Sequence, residues 1–123
     1  VLKEMRKLKK VGFYRELPHG DENGDSLISS INNGTYINLS KVLGYLEHGH
    51  LLMVAPAVLT DLLSEEQKYI GTLTIKTDGA WAWSGDLAYY IQHYGLSLPE
   101  DFLHHMENRD WNIVDVDINN LIL

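Results

Sequence analysis

Between residues 69 and 95 the order of side chains leaves few architectures open. Ile70, Leu73 and Ile75, interleaved with Thr72 and Thr74, form a β-favouring run, and Thr77-Asp78-Gly79 is a strong turn signal. Ala80-Trp81-Ala82-Trp83 then alternates small and large side chains on opposite faces. Together these segments predict a β-hairpin in which residues 70–76 pair with 80–83. Ser84 is the expected cap of a helix, with Asp86 in its first turn, where a carboxylate favours the macrodipole. Leu87, Tyr90, Ile91 and Tyr94 fall at i, i+3, i+4 and i+7, and Gly95 stands at the C′ position. A hairpin running straight into an amphipathic helix points to α+β and away from an all-parallel sheet.

The flanking segments extend the same pattern. Lys10 to Arg15 reads as a short first strand, and His19 to Asp25 as a loop crowded with turn formers. Ser26 to Ile31 has room for one or two helical turns, capped by Asp25 or Ser26, before Asn32-Asn33-Gly34 stops it. Leu39, Val42, Leu43 and Leu46 make a second apolar stripe, with Asn38 or Ser40 as cap and Gly49 as stop. Leu51 to Ala55 reads as a buried strand ended by Pro56. Pro99, Glu100 and Asp101 open a helix whose apolar face is Phe102, Leu103 and Met106. Trp111 to Ile118 alternates as a last strand. The expectation is one α+β domain over residues 1–123, a mostly antiparallel sheet with a central β-hairpin and about three helices.

At 123 residues with 45% hydrophobic and 22% charged side chains, the chain can bury a core without covalent staples. It has no cysteine, which removes disulfides, thiolate chemistry and cysteine zinc sites. The start, Val1 to Lys10, is too charged for a secretory h-region, and no apolar run approaches the ~20 residues of a membrane span. A cytoplasmic protein without membrane contact is expected.

Charge is unevenly placed. The formal net charge is −7, yet residues 1–15 hold six basic side chains against Glu4 alone. Positions 16–123 therefore carry sixteen acidic and four basic residues, a body near −12 behind a basic N-terminal arm over residues 1–10. Such a body repels phosphate and so speaks against nucleic acid as a partner. It steers a cationic protein instead. The acids expected to meet one are Asp21, Glu22 and Asp25 in the first loop, and Asp110, Asp115 and Asp117 near the C-terminus.

Motifs for chemistry are absent. Asp21-Glu22-Asn23-Gly24-Asp25 invites a calcium reading, but the sixth and twelfth loop positions are Ser26 and Asn32 where an EF-hand needs Gly and Glu. His48 and His50 straddle a helix end, while His104 and His105 diverge as helix neighbours. Solvated or capping histidines are expected, and no metal or other cofactor is assigned. No nucleophile elbow, Walker loop or dinucleotide fingerprint occurs. Two alternatives to a binding protein stand: a subunit of a larger assembly with Lys3–Lys10 as a docking arm, and a small enzyme or ligand-binding domain. The pocket of such an enzyme or ligand-binding domain would be shaped by Asp78, Trp81, Trp83, Asp86 and Tyr90, with a histidine as base. The two tryptophans otherwise form core against the Tyr90 and Tyr94 helix.

The stretch from Thr77 to Ile91, followed by Leu98-Pro99-Glu100-Asp101-Phe102, resembles a family of small bacterial proteins without an assigned activity. They share a Thr-Asp-Gly-x-Trp-x-Trp core, an Asp-Leu helix start and a Leu-Pro-x-x-Phe segment. The resemblance spans about residues 70–107 and implies no catalytic residue. In size, acidity and lack of a catalytic motif the chain is also similar to immunity proteins of bacterial toxin systems. The Leu98 to Leu103 string resembles a segment near the start of one large immunity superfamily, here displaced towards the C-terminus. That likeness implies a non-enzymatic protein that binds and neutralises a basic cognate toxin domain.

Overall fold

A computed structural model describes residues 4–123, so Lys3, the first cation of the basic arm, lies outside the described residues. The strands are β1 (Arg6–Lys7), β2 (Lys9–Val11), β3 (His50–Thr60), β4 (Tyr69–Thr77), β5 (Trp81–Ser84) and β6 (Leu121–Ile122). The helices are α1 (Leu27–Ser30), α2 (Leu39–Glu47), α3 (Leu87–Tyr94) and α4 (Glu100–Asn108), with a 3-10 turn at Ile118–Asn120. The class is α+β, as expected.

The hairpin forms as its turn chemistry demands. Asp78 Oδ1 accepts from Ala80 N at 2.9 Å and Trp81 N at 2.7 Å, while Gly79 takes φ +94°, which a Cβ would disfavour. β4 and β5 pair antiparallel with Lys76 opposite Trp83 and Thr77 opposite Ala82. β3 joins the other edge of β4, also antiparallel, and β2 adds to β5 in parallel, giving the order β2-β5-β4-β3. A second, two-stranded ribbon pairs β1 with β6 in parallel. Arg6 to Val11 of the basic segment is thus built into both sheets and is not a free arm over that span.

Three local expectations are corrected. β3 does not stop at Pro56 but runs through it to Thr60. Val54 lies opposite Thr74 and Val58 opposite Thr72, so Pro56 sits in a bulge on an outer strand, where no ladder N–H is required. No strand forms over Trp111–Ile118: Asp110 and Trp111 both take positive φ (53° and 61°), which turns the chain out of α4 and leaves 112–117 irregular. Ser84 ends β5 and does not cap α3; Asp86 is the N-cap residue, and Gly95 closes the helix in the left-handed conformation.

Helices cover one face of the sheet. Tyr45 and Leu46 from α2, Leu87, Tyr90 and Ile91 from α3, and Phe102 and Met106 from α4 enclose Val11, Trp81 and Trp83. Each such side chain contributes about 1.5–3 kcal/mol by leaving water. The tryptophans are core in one cluster with Tyr90 of α3, as expected, and their ring partners come from α4 and α2. Phe102 of α4 lies 4.8 Å from Trp81 and 5.7 Å from Trp83, and Tyr45 of α2 lies 6.0 Å from Trp83, ring centre to ring centre. Trp83 Nε1 donates to the Leu46 carbonyl at 3.0 Å, so its polar edge is satisfied inside. The opposite face carries a smaller cluster of Leu8, Ile75 and Ala82, closed by Phe13, Leu52, Leu121 and Leu123.

Candidate partner-binding surface

The polar side chains sealed inside the molecule decide first what chemistry is open to it. Asp61, Asp78 and Asp86 are each no more than 1% exposed. Asp78 has all its lone pairs in use: beyond the two turn amides, Oδ2 accepts from Tyr45 at 2.5 Å and from His105 Nε2 at 2.9 Å. Arg109 donates to the Asp78 carbonyl at 3.0 Å, so one residue ties the turn to α2 and α4. Burial, and then the neighbouring Asp78 carboxylate, push the Tyr45 phenol well above its ordinary value, and it stays a donor.

Asp61 accepts from Tyr89 at 2.8 Å, Tyr94 at 2.6 Å and Leu63 N at 2.9 Å. Burial works against its charge, but the Tyr94 and Tyr89 hydroxyls and the Leu63 and Ser64 amides outweigh it and hold the carboxyl below the usual range. In return the Tyr94 phenol is pushed up to about 12, chiefly by its bond to Asp61. Asp86 accepts from Ser84 at 2.5 Å. His19 Nε2 lies 3.1 Å from the other Asp86 oxygen, yet neither atom is aligned for a hydrogen bond. The two atoms are close, but their direction denies them a hydrogen bond.

In the Asp78 and Asp86 clusters the carboxylate occupies the centre, between a hydroxyl and an imidazole. Activation of a hydroxyl needs the imidazole at the centre instead. Both clusters therefore brace the fold. Asp78, Trp81, Trp83, Asp86 and Tyr90, expected to shape a pocket, are buried at 7% exposure or less. They pack as core; Trp83 reaches a small cavity of about 210 Å³, under α2 beside Lys76 and Gly85.

The acids expected to meet a partner divide into two groups. Asp21 lies against a cavity of about 430 Å³ with Asp25, but Lys10 Nζ sits 2.9 Å from its carboxylate, so its charge is already answered. Glu22 and Asp25 are exposed beside it. Asp110 and Asp115 are exposed after α4, and Asp117 accepts from Asn119 N at the start of the 3-10 turn.

A more strongly built surface lies next to Asp110. Glu100, Leu103, His104 and Glu107 recur at i, i+3, i+4 and i+7 on α4, the stripe opposite buried Phe102 and Met106. That stripe forms one wall of a groove of about 290 Å³. The facing wall is Tyr36, Ile37 and Val42 at the start of α2, and Trp111 closes the end. Ile37 is 97% exposed, so an apolar side chain stands fully in water beside two carboxylates that have no ion pair among the described residues. Sequence reasoning missed Glu100 because a first-turn acid explains itself as helix support, and Glu107 because it lies in the last turn outside the apolar stripe. It missed Trp111 by placing it in a strand. The 3-4 spacing of Glu100, Leu103 and Glu107 was the available signal.

Among the described residues no helix is long and apolar enough to cross a membrane. No family model, no characterised protein and no solved structure matches this chain.

Proposed function

We infer that this is a non-enzymatic binding protein that occludes a basic protein partner, in the manner of an immunity protein neutralising a basic toxin domain. The observation that carries this reading is the α2–α4 groove, where exposed Ile37 and half-buried Leu103 and Trp111 are flanked by Glu100 and Glu107. An apolar anchor surrounded by one sign of charge is the arrangement in which a few contacts supply most of an interface's affinity. A basic segment bearing one apolar side chain between Arg or Lys residues fits it. The anchor enters the groove and the cations meet the two glutamates, with Asp110 adding to the attraction. Charge pairs that lose their water on docking couple by about 1.5–7 kcal/mol each. The wider acidic body raises the encounter rate.

The test is capture with the purified protein from cells co-expressing its genomic neighbours, at low and at high salt, beside the double reversal Glu100→Lys and Glu107→Lys. The wild-type protein is expected to recover a basic protein in stoichiometric amount at low salt, and the reversal to lose it. Recovery that ignores both salt and the reversal would refute an electrostatic interface in this groove. A metabolite-dependent rise in melting temperature with no protein recovered would move the function to ligand binding.

A further inference from the structure

We propose that the uncovered face of the β3–β4 ribbon is a self-association surface, on which a second copy of this chain packs about a two-fold axis. β5 pairs only with Ile75 to Thr77 of β4, so the rest of β4 and its β3 partner project past the third strand. Leu51 is registered with Lys76, Val54 with Thr74 and Val58 with Thr72. Those β4 positions are two apart, so the three apolar side chains share a face with Thr72, Thr74 and Lys76. Lys76 in turn is opposite Trp83, whose ring lies beneath α2, so this is the helix-covered face continued beyond its helices. Leu51 is 50% exposed, Val54 56% and Val58 66%.

Charge selects the occupant. No Asp, Glu, Lys or Arg occurs from His50 to Thr60 or from Tyr69 to Ile75, in a protein whose net charge is −7. A cationic partner finds no carboxylate here. An anionic one finds only Lys76, whose Nζ already donates to the Glu47 carbonyl at 2.7 Å. Two copies with a net charge of −7 repel across most of their surfaces and can meet without penalty where both are neutral and apolar. Pro56 and its bulge interrupt the outer backbone edge, which disfavours continuous strand addition and leaves the side-chain face as the contact. An axis near Pro56 sets Val54 of one copy against Val58 of the other.

The size of the patch sets the strength. A ribbon of eleven residues, at about 3.3 Å rise and about 10 Å width, offers roughly 350 Å² per copy. That is under half of a standard interface, so the association is expected to be weak and to show only at high protein concentration. This proposal is independent of the groove on α4.

Sedimentation equilibrium on the full chain, from about 5 μM to about 1 mM, reads it directly. The wild-type mass is expected to rise from 14.0 kDa towards twice that value. The double variants Val54→Lys with Val58→Lys, and Val54→Glu with Val58→Glu, are expected to stay at monomer mass. Their equimolar mixture should dimerise again, because opposite charges then face each other across the axis. Both positions are more than half exposed, so near-UV circular dichroism and melting temperature should confirm the native fold in each variant. Ile37→Lys, in the other groove, should leave the dimer unchanged. A wild-type mass of 14.0 kDa at every concentration overturns the proposal. So does a dimer that both like-charge variants retain, or a mixture that stays monomeric.

Discussion

Asp78→Ala is the substitution whose cost follows most directly from the structure. The carboxylate is wholly buried and accepts four hydrogen bonds, two from turn amides and one each from Tyr45 and His105. Truncation leaves the Tyr45 hydroxyl and the Trp81 N–H without acceptors in the interior, at about 1–3 kcal/mol each. Ala80 N–H and His105 are nearer solvent and cost less, about 0.5–1.5 kcal/mol each, since water replaces the lost partner. Allowing for relaxation, unfolding free energy should fall by about 3–6 kcal/mol, a large share of the 5–15 kcal/mol of an ordinary domain. Asp78→Asn keeps one acceptor oxygen for the turn amides, and its NH₂ can donate to the Tyr45 oxygen. It should cost only about 1–2 kcal/mol. Urea denaturation followed by tryptophan fluorescence reads both values, because Trp81 and Trp83 adjoin the site, and an unchanged slope keeps the comparison valid. A loss below about 1 kcal/mol for the alanine variant, or an asparagine variant as damaged as the alanine one, would refute the claim that Asp78 braces the turn against two helices.

Two further outcomes test the fold. Gly79→Ala should lower stability by at least about 2 kcal/mol in the same denaturation assay, because φ is +94° and the new Cβ would lie 2.5 Å from Val116 Cγ1. Glu16 reaches across the first loop to accept from Leu27 N, Ile28 N and the Ser26 hydroxyl. Burial opposes its charge, but those bonds prevail and bring the carboxyl down from 4.5 to about 2. A depressed folded value means its contribution is complete above pH 4.5 and is lost as the pH falls towards 2. Glu16→Gln should therefore flatten the stability–pH curve in that window and leave its shape near neutrality unchanged.

Legibility in the sequence followed the range of the interaction. The turn at Thr77–Gly79, the stripes of α2 and α3 and the stop at Gly95 all rest on contacts within a few residues, and all formed where expected. Errors arose where distant packing overrode a local rule. Pro56 ends a strand only if its missing N–H faces a neighbouring strand, and β3 has none on its outer side among the described residues. The 111–118 alternation suits a strand, but the chain turns through positive φ at Asp110 and Trp111 before it can pair.

The candidate surfaces divide in the same way. Composition determined the acidic body, the absence of thiol chemistry and the lack of a catalytic motif, because totals and motifs survive without coordinates. Only the tertiary structure decided that Lys10 answers Asp21, and that Asp78 and Asp86 are bracing groups locked inside the core. It alone set Ile37 in water beside the α4 glutamates. Each of these depends on residues from separate elements meeting in space, Tyr45 being 33 positions from Asp78 and His105 another 27 beyond. Periodicity reports which face of an element is apolar; what that face meets is settled by the packing of the whole chain.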